Sequence, residues 1–182
     1  MRVIAGEFRS RRLKALPGLR TRPTPDRLRE ALFSVLAPRL AGCVFLDAYA
    51  GCGSVGIEAL SRGAREAIFL EEHKAASRVI QENLQSLGAT ARAVVVMGKA
   101  TAHLERFEPD IVFLDPPYDR EREYLAALEI LAKRPPSLVI AQHSSRFAIE
   151  ERYGVLKRVR VLRQGDNSLS FYEEEGNADD RI

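Results

Sequence analysis

From Cys43 onward the chain alternates short apolar runs with helical stretches, and this alternation restricts the fold more than any other feature. Val44–Asp47, Ala67–Glu71, Ala93–Met97, Asp110–Asp115 and Leu138–Gln142 read as five strands. Between them, Val55–Arg62, Lys74–Leu87 and Arg120–Lys133 carry apolar residues at helical spacing, the second closed by Gly88. Strands joined through helices run parallel, and a parallel sheet needs helices on both faces. The expectation is an α/β domain of the doubly wound kind. Val155–Gln164 and Ser168–Tyr172, separated by Gly165-Asp166-Asn167, predict an antiparallel hairpin at the C-terminal side.

Ahead of this core, Thr24-Pro25-Asp26 has the form of a helix start: a threonine cap, a proline in the first position, and an acid in the first turn. Leu28, Ala31, Leu32, Val35 and Leu36 then recur at helical spacing, and Pro38 is expected to break the helix near its end. The first thirty residues hold nine basic and three acidic side chains, a net +6 in a chain of net +3, so the remainder carries −3. A basic arm on a mildly acidic body points to a polyanion touching one edge. Arg2, Arg9, Arg11, Arg12, Lys14, Arg20 and Arg27 are the candidates for that contact; a merely solvated terminus is the alternative.

At 182 residues the chain is expected to form one domain. It has no apolar run long enough to cross a bilayer, and its start lacks a signal-peptide core, so a cytoplasmic location and no membrane contact are expected. Cys43 and Cys52 lack the spacing of a disulfide framework or zinc site. His73, His103 and His143 are too scattered to suggest a metal.

Two stretches carry chemistry. Asp47-Ala48-Tyr49-Ala50-Gly51-Cys52-Gly53-Ser54-Val55-Gly56 follows the first strand and opens a helix, and its glycines fit G-x-G-x-x-G. Such a loop lets backbone approach a nucleotide, and Glu71 ends the next strand where a ribose diol would lie. A pyrophosphate of a dehydrogenase cofactor and the methionine moiety of S-adenosylmethionine are both possible occupants. A carboxylate at Asp47 repels the first and suits the ammonium of the second. The other stretch is Phe113-Leu114-Asp115-Pro116-Pro117-Tyr118. Prolines stop a central strand, fix φ, and offer carbonyls with no competing donor. A carboxylate and a carbonyl so placed can accept both N–H bonds of an exocyclic base amine, while Tyr118 can stack on the base.

D-P-P-Y is the motif of exocyclic-amine methyltransferases. Beyond it, the chain resembles the small 16S ribosomal RNA guanine-N2 methyltransferases, the RsmD-like family. The matching stretches are R-V-I-A-G at Arg2–Gly6, R-P-T-P-D-R-L-R-E-A-L-F at Arg22–Phe33, D-A-Y-A-G-C-G-S-V-G-I-E-A-L-S-R-G-A at Asp47–Ala64, F-L-E at Phe69–Glu71, the D-P-P-Y turn, and G-D-N-S-L-S-F-Y at Gly165–Tyr172. The resemblance implies a Rossmann-like fold with a seven-stranded, mostly parallel sheet, helices on both faces, a C-terminal antiparallel hairpin and a basic N-terminal extension. It implies S-adenosyl-L-methionine as methyl donor, S-adenosyl-L-homocysteine as product, and a guanine in the 16S rRNA of the small ribosomal subunit as target. Asp47, Ala48, Gly51, Gly53 and Glu71, with Arg22 and Thr24 near the mouth, would hold cofactor; Asp115, Pro116, Pro117 and Tyr118 would hold the base. Residues 1–40 would form the arm and first helix, 41–173 the methyltransferase core, and 174–182 an acidic tail, in a monomer without metal. DNA adenine-N6 methylation uses the same turn but usually needs an extra recognition domain; a non-catalytic RNA-binding protein is the remaining alternative. Gly98-Lys99-Ala100 departs from the family's usual G-D-A, whose aspartate reaches the cofactor adenine. Ala48-Tyr49 and Cys52 stand where Leu-Phe and Ser or Thr are usual, and Gln142-His143 replaces an acid-containing pair.

Overall fold

The computed structural model describes residues 1–16, 26–117 and 120–176. Among these, eight strands form one sheet: β1 (Val44–Asp47), β2 (Glu66–Glu71), β3 (Ala93–Met97), β4 (Ile111–Leu114), β5 (Leu138–Ser144), β6 (Arg152–Tyr153), β7 (Leu156–Gln164) and β8 (Asn167–Glu174). Their order is β3-β2-β1-β4-β5-β8-β7-β6. The first five are mutually parallel, and β8, β7 and β6 add in antiparallel fashion. The five core strands and the hairpin lie where the apolar runs place them. The expected count of seven is corrected to eight by β6, a two-residue strand whose Tyr153 packs edge-on against Tyr172. The hairpin turn is two residues, not three: Gln164 pairs with Asn167, leaving Gly165 (φ 59°) and Asp166 as the loop.

Among the described residues five α-helices cover the sheet: α1 (Asp26–Leu40), α2 (Ser54–Ser61), α3 (Lys74–Leu87), α4 (Ala100–His103) and α5 (Glu121–Lys133). Side chains of buried strands alternate between faces. Phe45, Ile111, Phe113, Ile140 and Phe171 meet Leu32, Phe33 and Leu36 of α1 and Val55 and Ala59 of α2. Leu46, Val112, Leu114, Val139 and Tyr172 point the other way, against Tyr124, Leu128 and Leu131 of α5. The threonine cap expected at Thr24 lies outside the described residues. Pro38 does not end α1, which continues to a buried Leu40. In the last turn a proline forfeits a single backbone bond, and Leu40 burial outweighs it.

Residues 1–16 pack their apolar side chains into this core while Arg2, Arg9, Arg11, Arg12 and Lys14 stay exposed. Val3, Phe8 and Leu13 are buried with Ile57, Leu60, Phe69, Ile80 and Leu84. The Glu58 carboxylate accepts the N–H groups of Ile4 (2.8 Å) and Ala5 (3.0 Å), and Arg2 and Arg12 pair antiparallel. Gly6 (φ 84°) presses so closely on α2 that a Cβ there would lie 1.9 Å from the Ser61 carbonyl oxygen. Among the described residues no helix is long and apolar enough to cross a membrane.

Candidate functional site

The chain leaves β1 toward β2 and β3, then returns to place β4 on the other side of β1. That reversal opens a crevice at the carboxyl ends of β2, β1 and β4. It holds a cavity of about 560 Å³. Glu71 ends β2, Asp47 ends β1, and Asp115 follows β4, so three carboxylates from adjacent strands line one space.

The loop after β1 is held by its own surroundings. Ala48 N–H donates to the Phe113 carbonyl and Ala50 N–H to that of Leu70, both at 3.0 Å. Gly51 N–H donates to Glu71 Oε2 at 2.7 Å, while His73 N–H takes Oε1 at 2.8 Å. Gly56 N–H donates to Asp47 Oδ2 at 3.1 Å. Gly56 is compulsory for packing: a Cβ there would meet the Phe69 ring at 2.3 Å. Asn83 on α3 donates to the Cys52 carbonyl (3.1 Å) and exchanges bonds with Lys14 N–H and carbonyl, so one buried amide ties the loop to the N-terminal segment.

Burial dominates the electrostatics. Asp47 is pushed up to about 7, first by desolvation, with Glu71 adding repulsion and the Gly56 N–H opposing it. Asp115 is pushed up to about 8 by desolvation and by Asp47. Glu71 is also raised, by burial, against the pull of His73 and Gly51 N–H groups. Glu71 raises Asp47 and Asp47 raises Asp115, so this row of carboxylates gains from a cation. Burial raises the Cys52 thiol as well, which suits a packing residue rather than a nucleophile.

Asp47, Ala48, Gly51, Glu71, Asp115, Pro116 and Pro117 all line the cavity. Gly53 does not. It sits at the start of α2 with φ 82°, backed by Ile80, and turns the chain instead of facing the space. Arg22, Thr24, Tyr118 and Arg20 lie outside the described residues. Arg2, Arg9, Arg11, Arg12, Lys14 and Arg27 are exposed, and none lines the cavity. Two of them have partners: Arg11 donates to the Ser86 carbonyl and Lys14 pairs with Glu82, both at 2.8 Å. Met1, Ala15 and Leu16, from the same segment, do face the cavity.

Sequence reasoning missed the rim. Tyr49 OH donates to Glu123 at 3.0 Å, and Arg120 pairs with Glu72 at 2.6 Å, so α5 is latched to the loops after β1 and β2. Gln142 and His143 also find a place. The Gln142 carbonyl accepts from Tyr124 OH at 2.6 Å, and His143 Nε2 lies 2.9 Å from Ser170 Oγ. Burial lowers the His143 pKa, and the neutral ring serves as a strap between β5 and β8.

The chain is 34% identical to a Bacillus subtilis protein named "Putative rRNA methyltransferase YlbH", over 97% of its own length and 100% of that protein's. It is 42% identical over 123 residues to "Ribosomal RNA small subunit methyltransferase D" of Escherichia coli K12, a match that spans 66% of this chain and 61% of that one. The solved structure titled "Putative methyltransferase yhhF from Escherichia coli" superposes with a TM-score of 0.81 at 32% identity, covering 96% of this chain and 98% of the other. The family model described as "Conserved hypothetical protein 95" matches residues 1–173, and the chain belongs to that family.

Proposed function

We propose that this protein is an S-adenosyl-L-methionine-dependent methyltransferase of ribosomal RNA, transferring a methyl group to the exocyclic N2 amine of a guanine in the small subunit. The observation that carries the reading is the junction of a glycine loop and an Asp-Pro-Pro turn on one cavity. The relatives named as rRNA methyltransferases support the substrate class.

The residues present fit the methyl donor. The space is of the size usual for a cofactor pocket. Its acidic lining suits a ligand bearing ammonium and sulfonium charges, and a loop without phosphate-binding cations suits a ligand without phosphate. When bound, S-adenosyl-L-methionine supplies an electrophilic methyl group on a sulfonium.

The chain's residues supply the rest. Asp47 would hold the cationic end of the ligand and Glu71, ending the neighbouring strand, its ribose; both line the cavity. Asp115 accepts an N–H of the target amine. The carbonyl beside it accepts the other, because neither Pro116 nor Pro117 carries a donor to compete. Both contacts aim the amine lone pair into the cavity. Placement of this kind is worth up to about 7–11 kcal/mol in intramolecular reactions. The methylated amine is cationic and acidic, so no strong base is needed, and its proton passes to Asp115 or to water. Tyr118 is assigned to stacking on the base, and Arg22 and Thr24 to the cavity mouth.

The test offers the purified protein and methyl donor to three acceptors side by side: small subunits lacking the modification, naked small-subunit rRNA, and duplex DNA. Products are digested and identified by nucleoside mass spectrometry. N2-methylguanosine from either RNA acceptor is expected. N6-methyladenine from DNA, or no product while the donor binds, would overturn the reading.

A further inference from the structure

β7 treats its positive charges differently at its two ends. At the end away from the cavity they are neutralised within the chain. Lys157 lies 3.6 Å from Glu175, Arg158 lies 3.2 Å from Glu151, and Arg152 on β6 pairs with Glu175. Arg160 at the middle of β7 and Arg163 toward its other end are exposed, as is Arg146 in the loop after β5. Among the described residues none of the three forms an ion pair, and the acid beside them is Asp166 of the hairpin turn, itself exposed. Val159 and Val161, on either side of Arg160, are 46% and 41% exposed.

The sheet register shows where that end lies. Leu114 is level with Ala141, Ala141 with Ser170, and Ser170 with Val161. Continuing one residue along each strand puts Asp115 level with Leu162, and Arg163 one step beyond. Three strand spacings separate β4 from β7, roughly 14 Å. The Asp115 turn is therefore flanked on both sides. Residues 1–16 lie over α2 and α3 on the β2 side, and the Arg146–Arg160–Arg163 group lies on the β8–β7 side. β6 covers only Leu156 and Lys157, so among the described residues no strand lies on the outer edge of the cavity end of β7.

We infer that the cavity end of β7, with Arg146, Arg160 and Arg163, is a second contact surface for the phosphate backbone of the RNA substrate. The inference rests on the rRNA reading above. Unneutralised arginines beside a free strand edge supply charge and backbone N–H donors, the two groups that hold phosphates without reading sequence. A single flexible strand entering the turn would then be held before and after the target base. An edge arginine also discourages unwanted strand pairing, and the experiment separates that role from RNA contact.

The test uses the full chain with Arg146→Ala, Arg160→Glu and Arg163→Glu combined, and Arg134→Glu as a control before β5, at the opposite end of the sheet. Binding of naked small-subunit rRNA is measured against salt, together with donor affinity and steady-state methylation. Expected are a tenfold or larger rise in KM for RNA, kcat and donor affinity within twofold, and a log–log salt slope shallower by about 2. The control behaves as wild type. An unchanged KM and slope in a variant that still methylates would overturn the inference and leave the function standing. Loss of binding to assembled subunits but not to naked rRNA would also overturn it, in favour of a protein contact. Aggregation of the variant with normal RNA binding by its soluble fraction would leave edge protection as the role. If wild type itself neither binds nor methylates rRNA, the functional reading falls and takes the inference with it.

Discussion

The two halves of the cavity are finished to different degrees. On the cofactor half, each acid is already at work inside the chain: both Glu71 oxygens accept backbone N–H groups, and Asp47 holds Gly56. On the acceptor half, the Asp115 carboxylate receives no hydrogen bond from the described residues, and its raised value of about 8 records burial without compensation. A carboxylate in that state is costly to ionise and open to a donor. The difference suggests a division of labour. One half is built before any ligand arrives, and the other is completed by the base that is to be methylated.

Removing Asp115 should have the largest effect. Asp115→Ala takes away the main orienting acceptor and disturbs no bond of the glycine loop. Transfer at saturating substrates should fall about 10²–10³-fold, the usual cost of losing one preplaced hydrogen-bonding group in a reaction site. Donor affinity, read by calorimetry, should stay within threefold. Equal losses in both would erase the distinction between the halves.

Glu71→Ala should show the reverse pattern. It strands the N–H groups of Gly51 and His73, each of which now meets a carboxylate oxygen. Hydrogen bonds to charged groups contribute about 1.5–3 kcal/mol. Donor affinity should weaken by between 10- and 100-fold and Tm should fall, while kcat at saturating donor stays near wild type. A large drop in kcat with unchanged donor affinity would place Glu71 in the acceptor half.

The pH response sharpens the same contrast. Asp47 titrates near 7 in the free protein, and a cationic ligand needs it ionised. Between pH 6 and pH 8 donor affinity should rise about tenfold, and Asp47→Asn should flatten the curve at a weak affinity. The stability of the unliganded protein should move the opposite way. The folded state holds this proton above the pH at which the unfolded chain releases it, so stability falls as pH rises from about 4 to about 7. Tm measured by scanning calorimetry should therefore be lower at pH 8 than at pH 5, and less so in Asp47→Asn. Donor affinity that does not change with pH would mean that Asp47 does not meet the cation.

Much of this layout was legible in the sequence because parallel strands are buried on both faces and stand out as unbroken apolar runs. β1, β2, β4 and β5 appear in that way, the half-exposed edge strand β3 shows as an apolar run too, and the acids at the ends of β1, β2 and β4 follow from strand order. What escaped depends on distant contacts. Val3, Phe8 and Leu13 are separated by charged residues and follow neither a helical nor a strand period, so the basic charge of the N-terminal segment was legible and its share in the core was not. Gly53 and Gly56 fit the glycine pattern but work inward, against Ile80 and Phe69. The Tyr49–Glu123 and Arg120–Glu72 latches join elements 74 and 48 residues apart, and Asn83 reaches Lys14 across 69. No local motif announces such pairs. β6 is too short for any periodicity.

Lys99 tests whether the cofactor half is fully optimised. It is exposed, lines the cavity, and stands just before α4, whose first residue, Ala100, lies at the cavity wall. The resemblance places an aspartate here to accept from the adenine amine, whereas a lysine offers only donors. Lys99→Asp should restore an acceptor, but it also adds an acid to a cavity already lined by Asp47, Glu71, Glu72, Asp115 and Glu123. The two effects oppose, and a net hydrogen bond contributes only about 0.5–1.5 kcal/mol. Donor affinity should therefore improve by about threefold and no more, with kcat unchanged. Lys99→Asn separates the terms, since it supplies the acceptor without the charge and should gain at least as much. Weaker binding in both variants would show that Lys99 contributes a contact of its own, and that the cavity had balanced its acids with this lysine.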